Sequence, residues 1–396
     1  MERGEGTEGL YALKVGDTEG VVVVGASVAG LFAAYRLGQA GVRVRVFEAQ
    51  AALEPDPRTF IGTPPLLRML DFELGDAVLN RTCAFELISP NRSARVRLRE
   101  PDLVVGRARF VQDLARRAQG AGAELLFDRR FERLFHGGRF PLLRFATPHG
   151  PHHRKSATVI GADGVDSTLR SEVGRHQVPR VGKLQARVGL RSDQPADTVR
   201  CWFERGTTRF FTWLIPESER IGALGLIAPT EEQAARALEA FMADHDLRPV
   251  EDGYQQGLVP LHASALRVES RLGGGTVLLV GDAAGQVKAT TVGGFVTGMR
   301  GGAAAARSII RGTTYAAEAG ALHRELRAHT ALRFLLDGFR DQDYDRLLAL
   351  LNRGTRRVLR RYNRDELRRS LWRLVLAQPR WITLGARAFV QSLGSG

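Results

Sequence analysis

Gly25, Ser27 and Gly30 stand in a G-x-S-x-x-G spacing directly after the apolar run Val21–Val24, and Glu48 closes the next apolar run. Small residues at these three places let a chain turn tightly, bring backbone N–H groups up to an anion and pack a following helix on its strand. Gly25 permits the turn and Gly30 the close packing. Ser27 holds the middle position, where its short side chain can also donate to phosphate. A helix from about Ser27 to Gln39 would aim its positive end at the same anion. Glu48 stands where a carboxylate accepts from ribose hydroxyls. The chemistry implied is dinucleotide binding. The spacing alone also fits an ordinary strand–turn–helix; two strands, helix and acid in register favour the nucleotide.

Two later strand ends narrow the reading. One is GADGVDSTLR, with Asp163; the other is GDAAGQVKATTVGGFVTGMRGG, with Asp282. With these motifs the chain resembles the geranylgeranyl reductase family, within the FAD-dependent p-hydroxybenzoate hydroxylase-like flavoprotein superfamily. FTWLIP (Phe211 to Pro216) resembles an aromatic-x-W-x-x-P strand of those reductases, and halogenases carry a related one. The resemblance covers roughly residues 20 to 310.

What the resemblance implies is an FAD site. Gly25, Ala26, Ser27, Gly30 and Glu48 would hold pyrophosphate and adenosine ribose. Arg107 would contact the FAD, or else be a surface charge at a helix start. Asp163 would lie near the nucleotide and Asp282 would bind the ribityl chain, with turn capping the competing role for both. Gly285 belongs to that second motif, and Gly293 and Gly294 would open a helix toward the flavin. Phe211 and Trp213 would line the substrate side, or else belong to a sheet core. The reductases usually have proline where Ala289 stands and glycine where Val292 stands, so the flavin-side loop departs from its relatives. A cysteine-bearing segment of several relatives is replaced by RTFIGTPP, where Arg58 would serve as a phosphate or flavin contact. Residues 51 to 100 contain no lysine, which argues against halogenation.

Period and punctuation supply the elements that position these residues. The fold expected is α/β: a Rossmann-like FAD-binding domain, an inserted mostly antiparallel β-sheet substrate domain, and a C-terminal helical region. The division expected is a disordered tail over 1–19, FAD-binding segments 20–80, 101–180 and 265–312, β-rich segments 81–100 and 181–264, and helices over 313–396. The second strand is expected from Val42. Ala84 to Arg99 reads as a hairpin around Pro90-Asn91-Arg92, Val105 to Gly120 as an amphipathic helix, and about Thr230 to Asp244 as another. His149, His152 and His153 fall in TPHGPHHRKS, read as a solvated hairpin loop and not a metal site.

Composition limits the function classes. Cys83 and Cys201 lie far apart and support neither a disulfide framework nor a cysteine metal site, which suits a reducing cytoplasm. Net charge is +14, with only four lysines (Lys14, Lys155, Lys183, Lys288), so the excess is arginine. Half of that signal fits genome composition and the rest an anionic partner. No nucleic-acid module is visible, so no nucleic-acid partner is expected. No run reaches transmembrane length. From Asp337 on, apolar and arginine faces alternate around Pro379, with Trp372 and Trp381 on either side. The favoured reading is a stripe that covers the core, with solvated arginines; the other is a helix lying on a membrane interface.

The function expected is FAD-dependent reduction of a carbon–carbon double bond in an apolar, isoprenoid-like substrate, with an external donor (NAD(P)H or a redox protein). The alternative is a flavin-dependent monooxygenase hydroxylating an aromatic or polyketide-like substrate. A third reading is a flavin-binding protein without turnover.

Overall fold

The computed structural model describes residues 20–53, 57–174, 178–250, 254–263 and 266–393. The tail expected over 1–19 lies outside them. The chain opens with β1 (Val21–Val24), α1 (Val28–Gln39) and β2 (Val44–Phe47), and β1 and β2 pair in parallel with Val21 opposite Val44. Ser27 caps α1, its Oγ accepting from Gly30 N–H at 3.4 Å. The second strand begins at Val44 and not at Val42, because Ala40 to Val42 close the helix through hydrogen bonds to Leu37 and Gly38. Then come β3 (Thr59–Gly62), α2 (Pro64–Leu67), β4 (Val78–Ser89), β5 (Arg92–Gly106), α3 (Arg107–Gly120) and β6 (Glu124–Leu126). The hairpin is thus longer than its alternation indicated, and α3 starts at Arg107 because β5 runs on to Gly106.

The middle of the chain supplies β7 (Arg130–Phe135), β8 (Leu142–Ala146), β9 (His152–Lys155), β10 (Thr158–Gly161), α4 (Thr168–Glu172), β11 (Arg180–Gly189), β12 (Thr198–Trp202), β13 (Thr212–Pro216), β14 (Ile221–Ala228), α5 (Glu231–Asp244) and β15 (Gln255–Pro260). His152 and His153 are strand residues of β9 and not loop residues, and the His152 ring lies 6.0 Å from that of Phe47. The remainder is β16 (Glu269–Leu272), β17 (Gly275–Leu279), α6 (Phe295–Arg311), α7 (Tyr315–Asp337), α8 (Asp341–Ala349), α9 (Arg353–Arg361), α10 (Leu367–Ala377) and α11 (Arg380–Leu393).

Among the described residues three sheets form. The first, in order β16-β17-β10-β1-β2-β6, is parallel except for its β16 edge. Its central strands are apolar on both faces, as a sheet covered on both sides requires. The second, β15-β11-β14-β13-β12-β4-β5-β3, is antiparallel except where β4 meets β12. Strand β3 and both ends of the β4–β5 hairpin belong to it, although the sequence division assigned those residues to the dinucleotide segments. The third, β7-β8-β9, is a small antiparallel sheet.

Alternation in the large sheet sorts its faces. Leu184, Ala186, Val188, Leu224 and Leu226 pack with Leu238 and Phe241 of α5. Val181, Val199, Cys201, Trp213, Ile215 and Ile227 point the other way, toward Val287 and Val292. The C-terminal helices divide similarly: Leu374, Leu384 and Ala388 are buried, but Trp372, Leu376, Ile382, Phe389 and Val390 are exposed. The expectation that their apolar residues cover the core therefore holds for only part of them.

Candidate functional site

Two cavities share a wall at the mouth of the parallel sheet. The first, of about 920 Å³, is lined by Gly25, Ala26, Ser27, Glu48, Arg58, Arg107 and Asp163, among others. Gly25 has φ +97°, and a Cβ there would lie 2.5 Å from the Ala162 carbonyl oxygen, so no other residue fits the turn. Glu48 braces this turn: Oε2 accepts from Ala26 N–H at 2.7 Å and Oε1 from Gln50 N–H at 3.0 Å. The first N–H groups of α1 have no acceptor within the helix and lie at the cavity wall. A trough with the remaining first-turn N–H groups of α1 at its wall, a glycine-only turn and a carboxylate at one side fits a dinucleotide, and this is the test that FAD passes here.

The second cavity, of about 410 Å³, continues past Ser27, Arg58 and Arg107. Its walls are mainly apolar: Phe60, Ile61, Phe85, Val199, Phe211, Trp213, Ile215 and Ile227 line it. The rings of Phe60 and Phe295 stack at 3.5 Å. Gly293, Gly294 and Asp282 close one side, with Gly294 capping α6. Burial pushes the Asp282 carboxyl above its usual range, against the pull of Arg107, Arg58 and Lys183.

Most of the sequence-derived residues therefore meet along one trough, but two do not. Gly30 packs beneath the turn, where a Cβ would lie 2.4 Å from the Gly25 carbonyl oxygen. Gly285 takes φ +57°, its carbonyl accepts from His262 Nδ1 at 3.2 Å, and it lines neither cavity. Asp163 lines the first cavity, yet both its oxygens are engaged, by Ser167 Oγ at 2.5 Å and Leu169 N–H at 3.0 Å. Its turn-capping role is thus directly visible. Val292 has φ +48°. A β-branched residue in that region costs on the order of 1–2 kcal/mol, a cost that glycine would not carry.

Several site residues escaped the sequence reading. Lys183 and Gln185 project from β11 into the second cavity. Lys183 Nζ lies 5.9 Å from the Trp213 ring centre, and burial pulls its ammonium down to about 7, with Arg58 and Arg107 adding to the effect. The signal available was a lysine at an inward position of an alternating strand in a chain with four lysines. Cys201 also lines this cavity, its thiol pushed up to about 12 by burial.

The far wall comes from the C-terminal region. Arg364 lines the cavity, donates from Nη1 to Asp102 at 2.9 Å and leaves Nη2 buried without a partner. Asp365 pairs with Lys288 and accepts from Thr63 Oγ1 at 2.5 Å. Burial alone would raise the Asp365 carboxyl, but Lys288 and Arg364 hold it below its usual range. Thr290 Oγ1 meets His329 Nδ1 at 2.6 Å. With Gln286 Nε2 donating to Tyr315 Oη at 2.7 Å, three side-chain contacts fasten the loop from 286 to 292 to the C-terminal region.

Comparison with known proteins agrees with this geometry. Residues 18–324 match the FAD binding domain family. The chain is 27% identical over 293 residues to digeranylgeranylglycerophospholipid reductase 2 of Methanothermobacter thermautotrophicus, covering 69% of this chain and 73% of that one. It is 28% identical over 315 residues to aklavinone 12-hydroxylase of Streptomyces purpurascens, covering 67% and 57%. A geranylgeranyl bacteriochlorophyll reductase-like protein from Thermoplasma acidophilum shares the fold at TM-score 0.77 and 16% identity, over 93% of this chain and 98% of that one. The chain belongs to the FAD binding domain family and is an FAD-dependent oxidoreductase.

Proposed function

We propose that this enzyme reduces a carbon–carbon double bond of an apolar, isoprenoid-like substrate held in the 410 Å³ cavity. The observation that carries the reading is the continuity of that largely apolar chamber with the dinucleotide trough through Arg58 and Arg107. Gly25, Ala26, Ser27 and Glu48 would hold the pyrophosphate and adenosine end of FAD, Arg58 and Arg107 its middle, and Asp282, Gly293 and Gly294 its flavin end. In its reduced form, FAD held by these residues would supply a hydride to one alkene carbon. The positive end of α6 favours negative charge beside Gly293 and Gly294. Phe60, Phe85, Phe211 and Trp213 exclude water and press the alkene into place. A proton must reach the second alkene carbon, and Lys183 Nζ is the cavity acid suited to deliver it. The Lys183 side chain makes no hydrogen bond among the described residues, and in the flavin-free protein burial lowers its ammonium to about 7. An external donor, NAD(P)H or a redox protein, restores the reduced cofactor.

One observation favours a second reading, hydroxylation of an oxygenated ring. Lys183, Gln185 and the unpartnered Arg364 Nη2 offer polar contacts within the apolar walls. Product analysis separates the two. With a prenylated substrate and a chemical reductant, the alkene reading expects a product heavier by two hydrogens, formed equally well without oxygen. A product heavier by one oxygen, with matching oxygen uptake, overturns it.

A further inference from the structure

The C-terminal helices turn apolar side chains outward beside a groove walled by arginine. On α10, Trp372 is 52% and Leu376 69% exposed; on α11, Ile382, Phe389 and Val390 also face out. Phe334 of α7 extends the patch, its ring 5.9 Å from that of Phe389. Helix α9 packs against α10, where Asn352 Nδ2 donates to the Ala377 carbonyl at 3.0 Å. Between α9 and β5 lies a groove of about 450 Å³, lined by Val96 and by Arg95, Arg97, Arg353, Arg356, Arg357 and Arg360. Arg95 meets Asp197 at 3.1 Å. Arg97, Arg353, Arg357 and Arg360 form no ion pair among the described residues. Guanidinium groups gathered without counter-charge repel one another and attract anions.

Outward tryptophan and aliphatic side chains next to clustered cations are the composition of a surface that lies in a lipid headgroup layer. We propose that α9, α10 and α11 dock this enzyme on an anionic phospholipid bilayer. Trp372, Leu376, Ile382, Phe389 and Val390 enter the headgroup–acyl boundary, and the arginine groove takes lipid phosphates. No helix among the described residues is long and apolar enough to cross a membrane. A protein partner of one fixed shape would have to match both the exposed apolar side chains of α10 and α11 and an arginine groove, whereas a fluid anionic surface satisfies both. Helix α10 begins at Leu367, two residues after the buried Asp365 and three after the cavity-lining Arg364, so the docking face is close to the cavity wall in the chain. The docking does not depend on which substrate the cavity takes.

The test is flotation of the full-length, FAD-loaded protein with phosphatidylcholine vesicles and with mixed phosphatidylcholine–phosphatidylglycerol vesicles. The wild type should float with the mixed vesicles and lose that binding as salt rises. Arg357→Gln with Arg360→Gln should lower partition onto mixed vesicles roughly 25-fold, from about fivefold per surface arginine. Trp372→Ser with Leu376→Ser should lower it on both vesicle types roughly tenfold or more. Unchanged FAD content shows that the variants are folded. Wild-type flotation no better on mixed vesicles than without vesicles overturns the proposal. So does wild-type partition by both variants. A dimer abolished by the Trp372 and Leu376 changes, or retention on RNA, without vesicle binding would assign the surface to that partner instead.

Discussion

Lys288 and Asp365 offer the sharpest quantitative test of how the C-terminal region closes the cavity. Their side chains are 5% and 1% exposed, and they join the loop after Gly285 to the segment between α9 and α10. Lys288→Met strands a buried carboxylate, and Asp365→Leu strands a buried ammonium. Removing one partner of a buried pair costs about 3–5 kcal/mol. The Thr63 hydrogen bond and the nearby Arg364 still compensate Asp365, so about 3 kcal/mol is expected for each single change. Lys288→Met with Asp365→Leu leaves no stranded charge, only an unpaired Thr63 hydroxyl, which costs about 2 kcal/mol. Two losses of about 3 kcal/mol against one of about 2 kcal/mol leave a coupling of about 4 kcal/mol. Urea unfolding of the FAD-loaded protein, followed by tryptophan and flavin fluorescence, measures all four corners. Asp365 is held below its usual value of 3.8, so its contribution is complete above that pH and fades only as pH falls through the lowered value. Additivity within about 0.5 kcal/mol would refute the reasoning, because it would mean that the pair is not desolvated.

Three other outcomes follow from the site. Glu48→Ala leaves the Ala26 N–H without its acceptor and should weaken FAD retention at least tenfold, at about 1.5–3 kcal/mol for a charged hydrogen bond; unchanged retention in equilibrium dialysis would mean that Glu48 does not brace the site. In flavin-free protein the Lys183 ammonium is depressed from 10.5 to about 7, so the unfolded chain binds more protons between those values and stability rises with pH across them. The burial penalty is complete below about pH 7, so the stability gained by Lys183→Met should be largest there and shrink toward pH 10; a pH-independent difference would refute the buried ammonium. Gly225→Ala would set a Cβ 2.4 Å from Trp213 Cζ2, so about 1–3 kcal/mol of overpacking and a shifted tryptophan emission are expected; wild-type stability and emission would show that the indole does not lie across Gly225.

Legibility followed the reach of each signal. The first strand, the turn, α1 and the approach of Glu48 to that turn depend on neighbours within one supersecondary unit, and their residues announce them. Thr230 capping α5 is legible for the same reason, its Oγ1 accepting from Gln233 N–H at 3.2 Å. Lys183 was not legible, because its direction depends on register with β14 and β15, strands distant in sequence. Arg364 and Asp365 were hidden more deeply. Charged residues in an arginine-rich helical stretch look solvated until tertiary packing brings them to Asp102 and Lys288. Gly285 belongs to a recognisable motif, but motif membership does not say which way a backbone faces. Val292 departs from the motif in sequence, but its left-handed conformation is visible only in the backbone.

The proposed reaction passes hydride from reduced flavin in this trough to an alkene in the adjoining cavity. Anaerobic mixing of the reduced, FAD-loaded enzyme with geranylgeranyl-bearing lipid measures this directly. The account predicts that the oxidised-flavin absorbance returns without oxygen, at a rate lowered by Lys183→Met, while a saturated prenyl chain leaves the flavin reduced. Flavin that stays reduced with every prenyl alkene, and reoxidises only when oxygen is admitted, would contradict it.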